Sequence, residues 1–245
     1  MLAVYRKELS LFLSSLTGLL AIFIFLILLG LFLWVLPSES TGTNVLDNGF
    51  AQLDGLFSLA PWLYLFLIPA ICMRSISEEL KSGTLEFLLT KPLSARGLVL
   101  AKFMAGFTLV VISLLPTLFY VYVVYQLGNP KGNIDWGGLG GSYLGLLLLA
   151  SVFLACGIFS STFSEQQITS FLLALLICFF LYNGFDIIAQ SGFFGAADSV
   201  IKKMGISEHY ESISRGVVDF RDLIYFFSVS ALFLILTAQR LRLKR

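Results

Sequence analysis

Charge is what this sequence has least of. Only 13% of its 245 residues are Asp, Glu, Lys or Arg, against 58% apolar, and mean hydropathy is +0.90. Soluble domains carry roughly 25% charged residues, so the surplus of Leu and Phe has lipid as its natural solvent. Net charge is +1, too small for the basic face of a nucleic-acid binder. One histidine, His209, with no second ligand near it in sequence, excludes H-x-x-x-H metal chemistry and a histidine-dependent protease inside a span. No G-x-x-x-x-G-K-[ST] stretch exists to cradle a nucleotide. The three cysteines, Cys72, Cys156 and Cys178, lie scattered inside apolar runs and read as small buried hydrophobes.

Long apolar runs are what the chain has instead. A helix needs roughly 20 apolar residues to cross a bilayer, and six stretches qualify, at about 15–36, 56–73, 98–127, 141–163, 168–189 and 223–238. None alternates with the period of a membrane barrel, and backbone in lipid must bond to itself. An all-α polytopic membrane protein follows, with 1–245 as one domain. Pro116 predicts a kink in the third span. The leading residues around Arg6, Lys7 and Glu8 fit either an interfacial helix or the start of span one; they do not fit a signal peptide. Gly137, Gly141 and Gly145 fit a close helix contact, but Gly137 reads better as part of a flexible linker entering span four.

Orientation follows from Lys and Arg. With six spans, one side collects eleven of the sixteen, including the RLRLKR tail. The positive-inside rule therefore predicts both termini to be cytoplasmic. Ionisable residues are nearly absent from the spans: Lys102 marks the cytoplasmic edge of the third and Asp186 the outer end of the fifth. A coupled ion carrier usually needs more.

Two connections are long enough to act, a cytoplasmic segment at 74–97 and an outer loop at 190–222. In the first, Ser75 with Glu78 has capping-box spacing, Gly83 interrupts, and Thr84 can cap a short helix through Leu85, Glu86, Phe87, Leu88 and Leu89. Pro92 stops it and Ser94 can cap span three. An amphipathic turn resting on headgroups accounts for the same residues.

The stretch Glu79-Leu80-Lys81-Ser82-Gly83-Thr84-Leu85-Glu86-Phe87-Leu88-Leu89-Thr90-Lys91-Pro92-Leu93-Ser94 resembles the E-x-x-x-G-T-L-E-x-L-L-x-x-P-x-S signature of type-2 ABC exporter permeases. Lys102-Phe103 also fits that family. The blocks at 210–219 and 221–226 are similar to permeases of gliding-motility and nitrous-oxide-reductase maturation transporters. The resemblance implies a membrane subunit that is not itself an enzyme, with ATP and Mg on a separate ATPase and no cofactor in this chain. It implies a second permease, identical or related, and a bacterial inner (plasma) membrane. Glu79, Gly83, Thr84, Leu85, Glu86, Leu89 and Pro92 would form the coupling element that fits the ATPase. The outer loop would dip back as a hairpin closing the exit, with Gly192, Phe193, Phe194, Arg215, Gly216 and Asp219 at the gate; an ordinary surface loop is the alternative. Gliding motility is the narrower expectation. Maturation of a periplasmic metal site and a non-transporting scaffold are the alternatives.

Overall fold

The computed structural model describes residues 1–37, 42–84, 94–192, 195 and 198–243. Among these, six helices are long and apolar enough to cross a membrane: Leu16–Trp34, Asp54–Lys81, Ala95–Leu127, Trp136–Ser160, Gln167–Gln190 and Phe220–Leu243. The described residues contain no strand. The all-α polytopic reading therefore stands.

The chain begins with a separate helix, Leu2–Ser14. Ser15 breaks it in extended geometry (φ −85°, ψ 132°), and the Ser15 side chain accepts a bond from Gly18 N to start the first span. Val4, Tyr5, Glu8, Leu9, Phe12 and Leu13 turn inward while the residues between them are exposed. That spacing of three and four residues gives one face along a helix, and the segment forms a helix of its own, packed on the third span, instead of the start of the first span.

The fourth span is the axle. Leu146, Leu149, Phe153, Leu154 and Ile158 are fully buried along it, and 78% of its most apolar window is buried, against 22% in the first, fifth and sixth spans. Those three spans present Phe23, Ile27, Leu172, Leu176, Phe227 and Ile235 outward. Lipid is as apolar as Leu, so packing in a bilayer rests on close fit. Gly157 provides such a fit, because a Cβ there would lie 2.7 Å from Cys72 Cβ. All three cysteines are buried and unpaired; Cys72 and Cys178 point their thiols at the Leu154 and Phe153 carbonyls, each at 3.8 Å.

The fourth helix starts five residues earlier than expected. Asp135 caps it, with Oδ1 accepting from Gly137 N and Gly138 N at 3.0 Å each. The glycines at its start are therefore helical, and the linker reading fails. Around Pro116 the third span passes through a 3₁₀ turn, Leu115–Thr117, before continuing. There Thr117 Oγ1 meets both the Leu114 carbonyl (2.7 Å) and Tyr143 OH (2.9 Å).

Contacts sort the connections onto two faces. One face joins both termini: Glu8 reaches Lys102, Arg74 Nε donates to Gln167 Oε1 (3.1 Å), and the Arg240 guanidinium lies 3.6 Å above the Phe163 ring. On the opposite face Asn44 Nδ2 donates to the Leu36 carbonyl (2.7 Å) and Ser142 Oγ to the Ser214 carbonyl (2.6 Å).

Candidate functional site

On the face of the termini, Lys102 lies seven residues into the third span, with its side chain 1% exposed. An ammonium has three N–H donors, and all three are used. They go to Glu8 Oε1 at 2.7 Å, Glu79 Oε1 at 2.9 Å and the Ser75 carbonyl. Three elements thus meet at one nitrogen: the N-terminal helix, the turn that ends the second span, and the third span. A cation this deep is tolerable only when paired and fully bonded. The turn itself differs from expectation, since its helix, Ser77–Lys81, starts without a side-chain cap. The Ser75 carbonyl serves Lys102 instead. Gly83 ends the helix at φ +67°, a conformation that glycine adopts without penalty, and Ser94 accepts from Gly97 N (3.1 Å) to open span three as expected.

Of the coupling residues expected from sequence, Glu79, Gly83 and Thr84 are described. Leu85, Glu86, Leu89 and Pro92 lie outside the described residues. Glu79 is buried against Lys102, while Gly83 and Thr84 are exposed. The partnership of Glu8, Glu79 and Lys102 was not read from sequence, because they are 94 and 23 residues apart. A signal did exist: one lysine inside an otherwise uncharged run demands an anion.

The opposite face is organised by a short amphipathic helix, Ile206–Ser214. Ile206, Tyr210 and Ile213 are buried, a spacing of four and three that forms one stripe. Tyr210 OH donates to the Phe57 carbonyl at 2.6 Å, tying the loop to the second span. Burial pushes the Tyr210 phenol well above its ordinary range. Gly216 (φ +84°) ends this segment against the fourth helix, where a Cβ on it would sit 2.5 Å from Gly138 Cα. Ile213 packs on Gly145 in the same way; a Cβ on Gly145 would lie 2.9 Å from Ile213 Cγ2.

Among the residues expected at an outer gate, Arg215 pairs with Glu211 at the surface and Gly216 lies on the fourth span. Asp219 accepts from Arg221 N (3.0 Å) at the start of the last span, and Gly192 follows the fifth span at φ +69°. Phe193 and Phe194 lie outside the described residues. A pairing that sequence reasoning missed sits nearby. His209 Nδ1 lies 2.7 Å from Asp222 Oδ1 and Nε2 lies 2.9 Å from the Lys203 carbonyl, with the ring stacked 4.0 Å from that of Tyr225. Asp186 accepts from Ser207 Oγ.

A chain with two such faces, and with almost all its charge outside the bundle, suits a subunit moved by a partner. The model of the ABC-2 family transporter protein matches residues 2–240. The chain belongs to the ABC-2 transporter family. Nearly the whole length is covered, from the N-terminal helix into the last turn of the sixth span. No curated protein matches it. Membership makes this ABC-2 chain a multi-pass membrane protein of the kind that serves as a transporter's membrane subunit, and it implies an ATPase partner.

Proposed function

We propose that this protein is the permease subunit of an ATP-driven exporter, with the face of its termini in the cytoplasm of a bacterial inner membrane. Segment 74–97 is the ATPase dock, and a second permease, identical or related, completes the pathway. The observation that carries this reading is the Lys102 cluster. A pull on the docking segment reaches Glu79, and through Lys102 it reaches the third span and the N-terminal helix together. Glu79 acts inside this transmission, whereas Gly83, Thr84, Leu85, Glu86, Leu89 and Pro92 supply the contact. Switching a pathway from about 1:99 to 99:1 takes roughly 5.5 kcal/mol of differential binding, and apolar burial of Leu85, Leu88 and Leu89 on the ATPase, at about 1.5–3 kcal/mol each, is of that order.

ATP and Mg are bound and turned over by the partner. At the outer face, Gly192, Phe193, Phe194, Arg215, Gly216 and Asp219 belong to the segment that closes the exit; the buried stripe of Ile206–Ser214 supports this. The likeness of 210–226 to gliding-motility permeases supports that type as the narrower reading. The test is co-purification of the tagged permease with its ATPase partner. Leu85→Glu with Glu86→Ala should abolish the complex and permease-stimulated ATP hydrolysis. A complex of unchanged yield and activity would refute the dock.

A further inference from the structure

A crevice of about 500 Å³ opens beside the Lys102 cluster, between the N-terminal helix, the end of the second span and the third span. Its polarity is graded. Of its lining residues, Lys7, Arg74 and Glu78 are the more exposed, Glu79 and Lys102 are buried, and Ala105, Leu109 and Ile158 form a buried apolar wall. From Lys102 to Leu109 the helix advances about 10 Å, so the walls pass from headgroup level into hydrocarbon.

Two features of the charged level call for a ligand. Glu8 and Glu79 bring two carboxylates to the single Lys102 ammonium, while Lys7, Arg74 and Glu78 line the more exposed part of the same crevice. Glu79 Oε2 is buried and has no hydrogen-bond partner, while its side chain is 9% exposed and lines the crevice. Lys102 has no donor left to give it. A buried carboxylate oxygen left unbonded costs the full desolvation penalty, and a donor arriving from the crevice removes that cost. A water molecule would supply the hydrogen bond but not the charge. An ammonium supplies both.

We propose that the crevice binds an amine-bearing phospholipid from the leaflet on the face of the termini. Its primary ammonium donates to Glu79 Oε2, its phosphate lies against Lys7 and Arg74, and an acyl chain runs along Ala105, Leu109 and Ile158. A zwitterion fits because the more exposed cations and the buried anion are separated along the crevice. A metal ion or a short polyamine would leave the apolar walls unfilled. The lipid would fix the joint between the N-terminal helix and the second and third spans. This inference does not depend on the ATPase dock or on the direction of transport.

The test uses the full-length permease alone, delipidated in detergent and free of ATP and partner, with lipid binding read by native mass spectrometry. Phosphatidylethanolamine, phosphatidylcholine and phosphatidylglycerol with the same acyl chains are compared. The first should bind at least about tenfold more tightly than the other two, because a charge-assisted hydrogen bond is worth about 1.5–3 kcal/mol and 1.4 kcal/mol is a factor of ten. Glu79→Gln should shrink that preference to under about threefold, whereas Glu165→Gln in the loop after the fourth span should leave it intact. Equal binding of the three lipids by the wild-type chain would overturn the proposal, and that comparison requires no variant to fold. Persistence of the preference in Glu79→Gln would also overturn it, as would binding of decylamine without any binding of phosphatidylethanolamine.

Discussion

Replacing Lys102 by Met keeps an unbranched side chain only one atom shorter and removes its charge. Two carboxylates then face each other across a site that had one ammonium between them. The Glu79 side chain is 9% exposed and that of Glu8 20%, so solvent screens the first poorly and the second somewhat better. Removing one partner of a buried pair costs about 3–5 kcal/mol, since the remaining charge stays desolvated. On the scaling for soluble domains of this size, 1 kcal/mol shifts the midpoint by about 2–4 °C, so Lys102→Met should melt about 6–20 °C below wild type in detergent. Glu8→Gln should cost far less, because Lys102 keeps Glu79 and an amide oxygen can still accept. The triple change Lys102→Met, Glu8→Gln, Glu79→Gln should recover most of the loss, because replacing a whole buried ion cluster with neutral groups is often close to free. Thermal unfolding followed by size-exclusion chromatography reads all three variants. A separate readout is ATPase stimulation, which the triple variant should not regain even when its stability returns. A single Lys102→Met variant within about 2 °C of wild type would show that the cluster holds nothing together.

Gly216→Ala places a Cβ 2.5 Å from Gly138 Cα and forces a side chain onto φ +84°. The outer segment should lift from the fourth span, with faster proteolysis between 190 and 222 and a destabilisation of about 1–3 kcal/mol. Tyr210→Phe leaves the Phe57 carbonyl without its partner and should cost about 1–3 kcal/mol in thermal unfolding at neutral pH. Its alkaline behaviour carries a sign as well. The folded phenol titrates above its unfolded value of about 10, so its contribution is complete below pH 10 and is lost as pH climbs toward the raised value. The variant should therefore show a flatter stability profile above pH 10 than wild type, and identical profiles would remove Tyr210 as the cause.

What was legible in the sequence is what hydrophobic length records. All six spans could be read from apolar runs alone, because each crossing has to be apolar for about 20 residues whatever it packs against. Helix ends were legible where a cap is local, as with Ser94, and illegible where a distant atom decides. Asp135 moved the start of the fourth helix to Trp136 because a carboxylate can cap two glycine amides, which a glycine-rich run conceals. Ser75 looked like a cap, yet its carbonyl is held by Lys102, 27 residues on. The buried partnerships, Glu8 with Lys102 and His209 with Asp222, depend on helix packing, and no periodicity encodes which helices touch.

The placement of the fixed points says which parts of the molecule can move together. Near the face of the termini, Lys102 ties the N-terminal helix and the end of the second span to the third. Near the opposite face, Tyr210 ties the outer helix to the second span, and Gly216 and Ile213 tie it to the fourth. Gly157 and Gly106 add close contacts among the second, third and fourth spans, with Cys72 Cβ 2.7 Å from where a Gly157 Cβ would stand and Leu154 Cδ2 2.9 Å from a Gly106 Cβ. Spans two to four therefore form a protein path along which, under the proposed dock, a displacement at the end of the second span would reach the outer helix without first crossing lipid. The first, fifth and sixth spans turn most of their surface outward, yet the sixth packs along the fourth and third and the fifth along the fourth and second. A packed block of this kind transmits displacement instead of absorbing it, because close-packed interiors have two arrangements more readily than a continuum of them. The outer helix is thus joined through packed protein to the end of the second span, although the two lie on opposite faces and more than a hundred residues apart.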